Sequence, residues 1–179
     1  MIKLVIGQKV AYPNQGVCVV ESHSDLKLGD NIVSGFSLRL LGDRSTIFVP
    51  DDSAQSLGIR PIFNSRQCRE LLADLEKDFD NLPADWKSRS KEFIDKVRSG
   101  DLFQIADVLK KLTYLSRVKK LSFREQTLLD KARFLIVSEL ANARVAIGKH
   151  IDSLVEQLVD NACSKHVEPS AHSMSTAAH

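Results

Sequence analysis

The spacing of apolar residues changes near residue 64 and divides the chain into two parts. In the first part, short apolar runs are separated by turn sequences such as Pro13–Gly16 and Lys27–Asn31, which predicts several short β-strands. In the second part, apolar residues recur at helical spacing, as they do in the stretch 68–75. We therefore predict an α+β protein in which a small, strongly bent sheet or barrel precedes a compact all-α domain.

This change of spacing also predicts the domain organisation. The predicted segments are a β-domain of residues 1–63, a helical domain of residues 64–163 and a disordered tail of residues 164–179. The tail is assigned from its composition, because a stretch rich in Ser, Ala and His offers little apolar surface for packing.

The last predicted strand, Ser45–Pro50, carries the first candidate contact residue. Strands are also predicted at Lys9–Tyr12, Val17–Glu21 and Ile32–Leu41. If Ile47 and Val49 face inward, strict alternation turns Phe48 outward. Phe48 then either lies on an exposed contact surface or is covered by the helices that follow, and the pattern does not favour one over the other.

Capping residues predict where the helices begin and end. Asn64–Gln67 and Ser122–Glu125 both have the capping-box pattern, in which two side chains satisfy free backbone N–H groups of the first turn. Asp85 and Asp101 are further N-cap candidates, and glycine in Ser99-Gly100 can end the helix between them in the left-handed conformation. Five helices are predicted. The first begins after Asn64 and fades over residues 78–83, and the others lie near residues 86–98, 102–115, 123–146 and 151–159.

The single tryptophan, Trp86, lies in the first turn of the second predicted helix. Its neighbours in the sequence include Lys87, Arg89 and Lys91. Because tryptophan is usually highly buried, the residues alone favour a partly buried ring that covers the end of the helical core. The alternative is an apolar wedge against nucleic acid, with the cations on phosphate groups.

Charge is unevenly distributed along the chain, although the net value is only +2. Residues 86–133 contain thirteen Lys and Arg against six Asp and Glu, a net charge of +7, whereas the remainder carries −5. A segregated basic segment indicates a polyanionic partner. The alternative is an ordinary solvated helical surface.

The sequence lacks the residue patterns that mark common catalytic and metal sites. Cys18, Cys68 and Cys163 are far apart and have no CxxC or CxxH spacing, which argues against a disulfide framework and a zinc site. No P-loop, dinucleotide-binding, zinc-protease or serine-hydrolase motif occurs. We therefore expect no enzyme activity, no catalytic residue, no metal and no cofactor.

Apolar runs of only a few residues predict a chain without membrane contact. They are too short to span a bilayer, and the apolar part of the N-terminal run MIKLVIGQKV is too short for a signal peptide. We therefore expect a cytoplasmic protein.

Short sequence blocks run in order through both parts of the chain, over residues 5–146. The blocks are Gly7–Pro13, Gln15–Val17, Phe48–Pro50, Leu57–Pro61, Trp86 with Arg89 and Lys91, Ser99–Asp101, Leu121–Ser122 with Arg124 and Glu125, Lys131–Arg133, and Glu139–Ala141. Together they resemble the CarD/CdnL family of bacterial RNA polymerase-binding transcription regulators.

The resemblance implies an SH3-like or Tudor-like N-terminal barrel that binds the RNA polymerase β subunit. It also implies a helical domain that contacts promoter DNA through the minor groove and backbone, at the upstream edge of the transcription bubble. The implied DNA-binding residues are Trp86, the wedge, with Lys87, Arg89 and Lys91. The implied polymerase-binding residues are Leu38, Phe48 and Pro50.

The expected function is therefore that of a regulator that stabilises promoter open complexes. We expect it to act as a monomer at the nucleoid, through RNA polymerase, with little sequence specificity for DNA. The alternative is a polymerase-binding adaptor with little or no DNA contact. Ser88 and Ser90, at positions that are basic in some relatives, motivate this alternative.

Overall fold

Strands precede helices in the structure, as the change of spacing near residue 64 predicts. The structure is a computed structural model that describes residues 3–143 and 150–166. Within those ranges the strands are β1 (Lys9–Tyr12), β2 (Gly16–Leu28), β3 (Asn31–Leu40), β4 (Thr46–Pro50) and β5 (Arg60–Pro61). The helices are α1 (Ser65–Leu75), α2 (Trp86–Arg98), α3 (Leu102–Val118), α4 (Phe123–Asn142) and α5 (Ile151–Lys165). The predicted α+β class is confirmed.

The strands form one antiparallel sheet in the order β4-β3-β2-β1-β5. The first four strands make a meander, and β5 returns to pair with β1 through Val10 with Pro61 and Ala11 with Arg60. The register shifts between Val20 and Ser22, and such a bulge increases the bend and twist of a strand.

The β2–β3 hairpin is longer than the sequence pattern predicts. β2 continues to Leu28 instead of ending near Glu21, and a two-residue turn of Gly29 and Asp30 leads into β3. Gly29 has a φ angle of 64°, which glycine adopts without a steric penalty. Every residue from Glu21 to Asp30 is exposed, so no alternation of buried and exposed positions indicated this part of the strand.

Buried side chains form two separate clusters, one on the sheet and one among the helices. Val49 is completely buried in the sheet cluster and Ile47 packs against it, so the predicted inward face of the last strand is confirmed. The helical cluster includes Phe63, two residues before α1. The division of the chain into domains at residue 63 stays a prediction.

A buried carboxylate on α4 joins the sheet to the helices. Glu139 is 3% exposed and accepts hydrogen bonds from the guanidinium of Arg60 in β5, at 2.6 and 3.0 Å. It also accepts the backbone N–H of Phe63, at 2.9 Å. Arg60 donates in addition to the carbonyl of Gly100, between α2 and α3, at 3.1 Å. One ion pair therefore holds β5, α4 and the α2–α3 turn together.

An aromatic ring makes a second contact between the two parts. Phe134 of α4 lies against Gly16 at the start of β2 and Gly42 after β3. A Cβ atom would be 3.1 Å from this ring at Gly16 and 3.0 Å from it at Gly42, so a larger residue at either position would force the ring to move by a few tenths of an ångström. Because these two glycines carry no side chain, α4 can lie close to the sheet.

The helix starts agree with the predicted caps. Asn64 and Ser122 form the capping boxes, and the side chains of Asp85 and Asp101 cap α2 and α3. All four depend on residues close in sequence, which explains why the pattern was sufficient to find them.

The predicted start of the tail at Ser164 needs correction. α5 continues to Lys165, because His166 after it is anchored: its ring stacks on Phe79 at a centroid distance of 4.2 Å and meets Tyr114 edge-on at 4.9 Å. The rest of the predicted tail, residues 167–179, and the predicted end of the fourth helix near residue 146 lie outside the described residues.

Replacing Glu139 by Gln should destabilise the protein by about 2–4 kcal/mol, because Arg60 would keep its charge in a partly buried site without an anionic partner. Urea unfolding at pH 7 measures this change. Asp130→Asn, on the exposed side of α4, is the matched control and should stay within about 0.5 kcal/mol of wild type. If Glu139→Gln were as stable as the control, the ion pair would not hold the two parts together.

Candidate functional site

Trp86 is the first residue of α2, directly after the capping residue Asp85. Asp85 accepts the backbone N–H of Ser88 at 3.0 Å and its hydroxyl at 2.8 Å. Trp86 is 61% exposed, and the ammonium nitrogen of Lys87 lies 5.9 Å from its ring centroid. The ring is therefore a surface group on a well-capped helix start and not the cover of the helical core.

Arg89 faces inward, one turn after Trp86. It is only 9% exposed, and its guanidinium donates to the carbonyl of Pro83 at 3.1 Å and to the carboxylate of Glu125 at 3.3 Å. These bonds hold the start of α2 against α4. In this position Arg89 fixes the start of α2, and its buried guanidinium is already engaged within the fold.

Glu125 is the shared partner of two cations and a helix cap. Its carboxylate accepts the backbone N–H of Ser122 at 2.9 Å and lies 3.2 Å from Lys119 and 3.3 Å from Arg89. Partial burial favours the neutral acid, but hydrogen bonds from Ser122 and Lys119 outweigh it and lower the pKa of Glu125 to about 2. The carboxylate therefore stays charged and joins the start of α2 to the α3–α4 turn.

More than half of the basic residues counted in the sequence are already engaged within the fold. Of the thirteen in residues 86–133, these seven form ion pairs: Arg89, Lys96, Lys110, Lys111, Arg117, Lys119 and Arg133. Within the part of the chain that the structure describes, the other six form none: Lys87, Lys91, Arg98, Lys120, Arg124 and Lys131. Lys87 and Lys91 are close to Trp86 in sequence, and Lys120 and Arg124 flank the start of α4.

The residues expected to face RNA polymerase lie on β3 and β4. Phe48 is half-buried because its ring lies over Gly35 of β3, where a Cβ atom would be 2.7 Å from the ring. Pro50 is also half-buried, at the end of the edge strand β4. Leu38 is completely buried in the sheet cluster, so it supports this surface from beneath.

The residues around Trp86 and on β4 offer aromatic and apolar surface and ammonium groups. In residues 3–143 and 150–166, no group of three or more His, Cys, Asp or Glu side chains is placed to hold a metal ion. The described helices include none that is long and apolar enough to cross a membrane. The candidate site thus consists of an exposed aromatic ring, exposed ammonium groups and an apolar patch at the sheet edge.

Comparison with known proteins places this site in a family. Residues 70–156, a range that includes Trp86, Arg89 and Glu125, match the family model "CarD, C-terminal domain". The Bacillus subtilis (strain 168) protein named "Putative transcription factor YdeB" is 24% identical over 148 residues, which are 83% of this chain and 97% of that protein. These matches support the CarD/CdnL family and, with it, the role of a CarD-like transcription factor.

The first part of the chain matches a solved structure. It is the solution NMR structure of the 72-residue N-terminal domain of Myxococcus xanthus CarD. The match has 28% sequence identity and a TM-score of 0.28, and it covers 34% of this chain and 81% of that domain.

Two features of the candidate site could not be predicted from local sequence. The Arg89–Glu125 contact joins positions 36 residues apart, so the capping box indicated Glu125 only as part of a helix start. Phe123 is 87% exposed, although its residue type predicts burial. Its position at the first residue of α4 was visible in the sequence, but the direction of its ring was not.

The Glu125→Gln variant tests the charge at this junction, because glutamine preserves the capping-box geometry. Since the pKa of Glu125 falls from 4.5 to about 2 on folding, its stabilising effect is complete above pH 4.5 and disappears as the pH falls toward 2. After allowance for solvent screening, we expect the variant to be about 1 kcal/mol less stable than wild type at pH 7. The difference should vanish near pH 2.

Urea unfolding of both proteins over a series of pH values measures this dependence. A difference that is constant across the acid range would show that the charge of Glu125 does not contribute.

Proposed function

We propose that this CarD family protein binds the β subunit of RNA polymerase through its sheet and stabilises promoter open complexes through the start of α2. The observation that carries the proposal is the 61% exposure of Trp86 on a helix start held by Asp85 and Arg89. An exposed aromatic ring beside free cations suits a nucleic acid partner. The proposed contact is the minor groove and backbone at the upstream edge of the bubble, with little sequence specificity.

An aromatic wedge favours the open promoter because the two promoter states differ in base stacking. Inserting a ring into closed duplex DNA requires unstacking, which costs a few kcal/mol per base step. At the edge of a bubble the bases are already separating, so Trp86 binds there at lower cost. The open complex is stabilised by this difference in affinity, and about 1.4 kcal/mol lengthens its lifetime about tenfold.

Lys87 and Lys91 supply the proposed backbone contacts. Both are exposed, and neither forms an ion pair within the residues that the structure describes. Contacts of ammonium groups to phosphates position a protein on DNA without reading its sequence. Arg89 contributes by positioning Trp86 through Pro83 and Glu125.

Phe48 and Pro50 supply the proposed polymerase contact. They lie on β4, an edge strand of the sheet, where a partner can approach from the side. Binding there raises the effective concentration of Trp86 at the promoter, so a weak DNA contact is sufficient. This partner would place the protein in the cytoplasm, at the nucleoid.

One observation favours a second function, that of a polymerase-binding adaptor with little DNA contact. Seven of the thirteen basic residues in residues 86–133 are ion-paired, so the free positive charge is much smaller than the sequence suggests. The salt dependence of DNA binding distinguishes the two functions, because each phosphate contact steepens the decline of affinity with salt. An adaptor without DNA contact would bind DNA too weakly for such a decline to be measured.

Trp86→Ala should shorten the lifetime of promoter open complexes to nearly the value without the protein, a change on the order of tenfold. The measurement is the decay of open complexes after addition of a competitor, with polymerase saturated by wild type or variant. Trp86→Phe is the matched control, which keeps an aromatic ring and should retain part of the extension.

Equal extension by wild type and Trp86→Ala would exclude the wedge. If neither protein extends the lifetime although both bind polymerase, the adaptor function is favoured.

Phe48→Ala should weaken binding to the isolated polymerase β subunit at least tenfold, because aromatic side chains in interfaces often contribute more than 1.4 kcal/mol. Isothermal titration calorimetry measures the affinity, and urea unfolding verifies that the sheet is intact. Ile32→Ala is the matched control, since Ile32 is an apolar side chain of the same sheet with 71% exposure. Equal affinity of Phe48→Ala and wild type would place the polymerase contact on another surface.

A further inference from the structure

The most exposed large apolar side chain in the described residues is Phe123, at 87%. It is the first residue of α4, and the capping box fixes the backbone around it. The N–H of Ser122 donates to the carboxylate of Glu125 at 2.9 Å, and the N–H of Glu125 donates to the hydroxyl of Ser122 at 3.3 Å. The ring is therefore presented to solvent by an ordered helix start.

Basic residues flank Phe123 in the sequence. Lys120 and Arg124 are exposed, and neither forms an ion pair within residues 3–143 and 150–166. Glu125 is the one acidic residue in the stretch 117–126. Its charge is already shared with Lys119 and Arg89, so it leaves the cations beside Phe123 uncompensated.

This combination fits a nucleic acid strand better than a protein surface. Stacking of a base on an aromatic side chain contributes about 1–3 kcal/mol and works with every base. Lys120 and Arg124 can then bind the adjacent phosphates. The centres of protein–protein interfaces are by contrast depleted of lysine, and here the cations flank the ring directly.

We propose that Phe123 is a second aromatic DNA contact, which stacks on an unpaired base where one strand leaves the duplex. Lys120 and Arg124 bind the phosphates next to that base. This inference rests on the proposed function, because it extends the surface that begins at Trp86. The Arg89–Glu125 contact connects the two helix starts, so Trp86 acts at the edge of the duplex while Phe123 holds the separated strand.

Fluorescence anisotropy with two labelled DNAs tests this inference on the full chain. One DNA is a plain duplex, and the other is the same duplex with a single-stranded fork at one end. Phe123→Ala should weaken binding to the fork about five- to tenfold and binding to the duplex less than twofold, because only the fork offers an unpaired base. Phe123→Trp should restore binding to the fork.

Two further variants separate the ring from its surroundings. Val118→Ala removes another exposed apolar side chain, with 63% exposure, from the end of α3 and should leave both affinities unchanged. The double variant Lys120→Ala with Arg124→Ala should weaken binding to both DNAs. It should also reduce the slope of log affinity against log salt by about two.

Three results would overturn the inference. The first is that Phe123→Ala binds the fork as tightly as wild type does. The second is that the wild-type chain does not bind the fork at low salt. The third is that Phe123→Ala loses polymerase binding while its fork binding is unchanged, which would assign the ring to a protein partner. The first and third results do not bear on the wedge, which is tested by open-complex lifetimes with Trp86→Ala. The second would also favour the adaptor function. If Trp86→Ala leaves open-complex lifetimes unchanged while Phe123→Ala weakens binding to the fork alone, the wedge is excluded and the strand contact is supported.

Discussion

A carboxylate withdrawn from water must keep its hydrogen-bond donors, and the position of Glu139 therefore constrains the whole molecule. Its donors come from β5 and from the backbone of Phe63, two residues before α1, while Arg60 also reaches the α2–α3 turn. The sheet that carries Phe48 and the helices that carry Trp86 are joined at this point. Such an ion pair contributes chiefly a defined arrangement, because desolvation offsets much of its attraction. Phe134 adds close packing against two glycines of the sheet.

The same principle applies on a smaller scale at Glu125. One anion there orders the start of α2 through Arg89 and the α3–α4 turn through Lys119. The basic segment of the sequence therefore has two physical roles, since some of its cations connect helices and others remain available to a partner. Net charge along a chain counts both kinds equally. Only the contacts in the structure distinguish the two kinds of cation. In this fold the cations available to a partner include those near Trp86 and Phe123.

Local interactions made much of this fold predictable. The capping boxes that begin at Asn64 and Ser122 involve residues three positions apart, and the structure contains both. The inward direction of Arg89 and Glu139 depends on partners 36 and 79 positions away, which no local pattern contains. The distal half of β2 was missed for a different reason. It is exposed throughout, so it lacks the periodic burial from which strands are recognised.

The low pKa of Glu125 has a consequence for how a protein of this kind could be controlled. A carboxylate that titrates near pH 2 keeps one charge state at every pH that growing cells experience. The joint between α2 and α4 is thus indifferent to acidification, in contrast to histidine-based sensors that change state near neutrality. Titration of Glu125 therefore does not change the start of α2, where Trp86 lies, within this pH range. A response of the protein to acidification would have to come from groups other than this carboxylate.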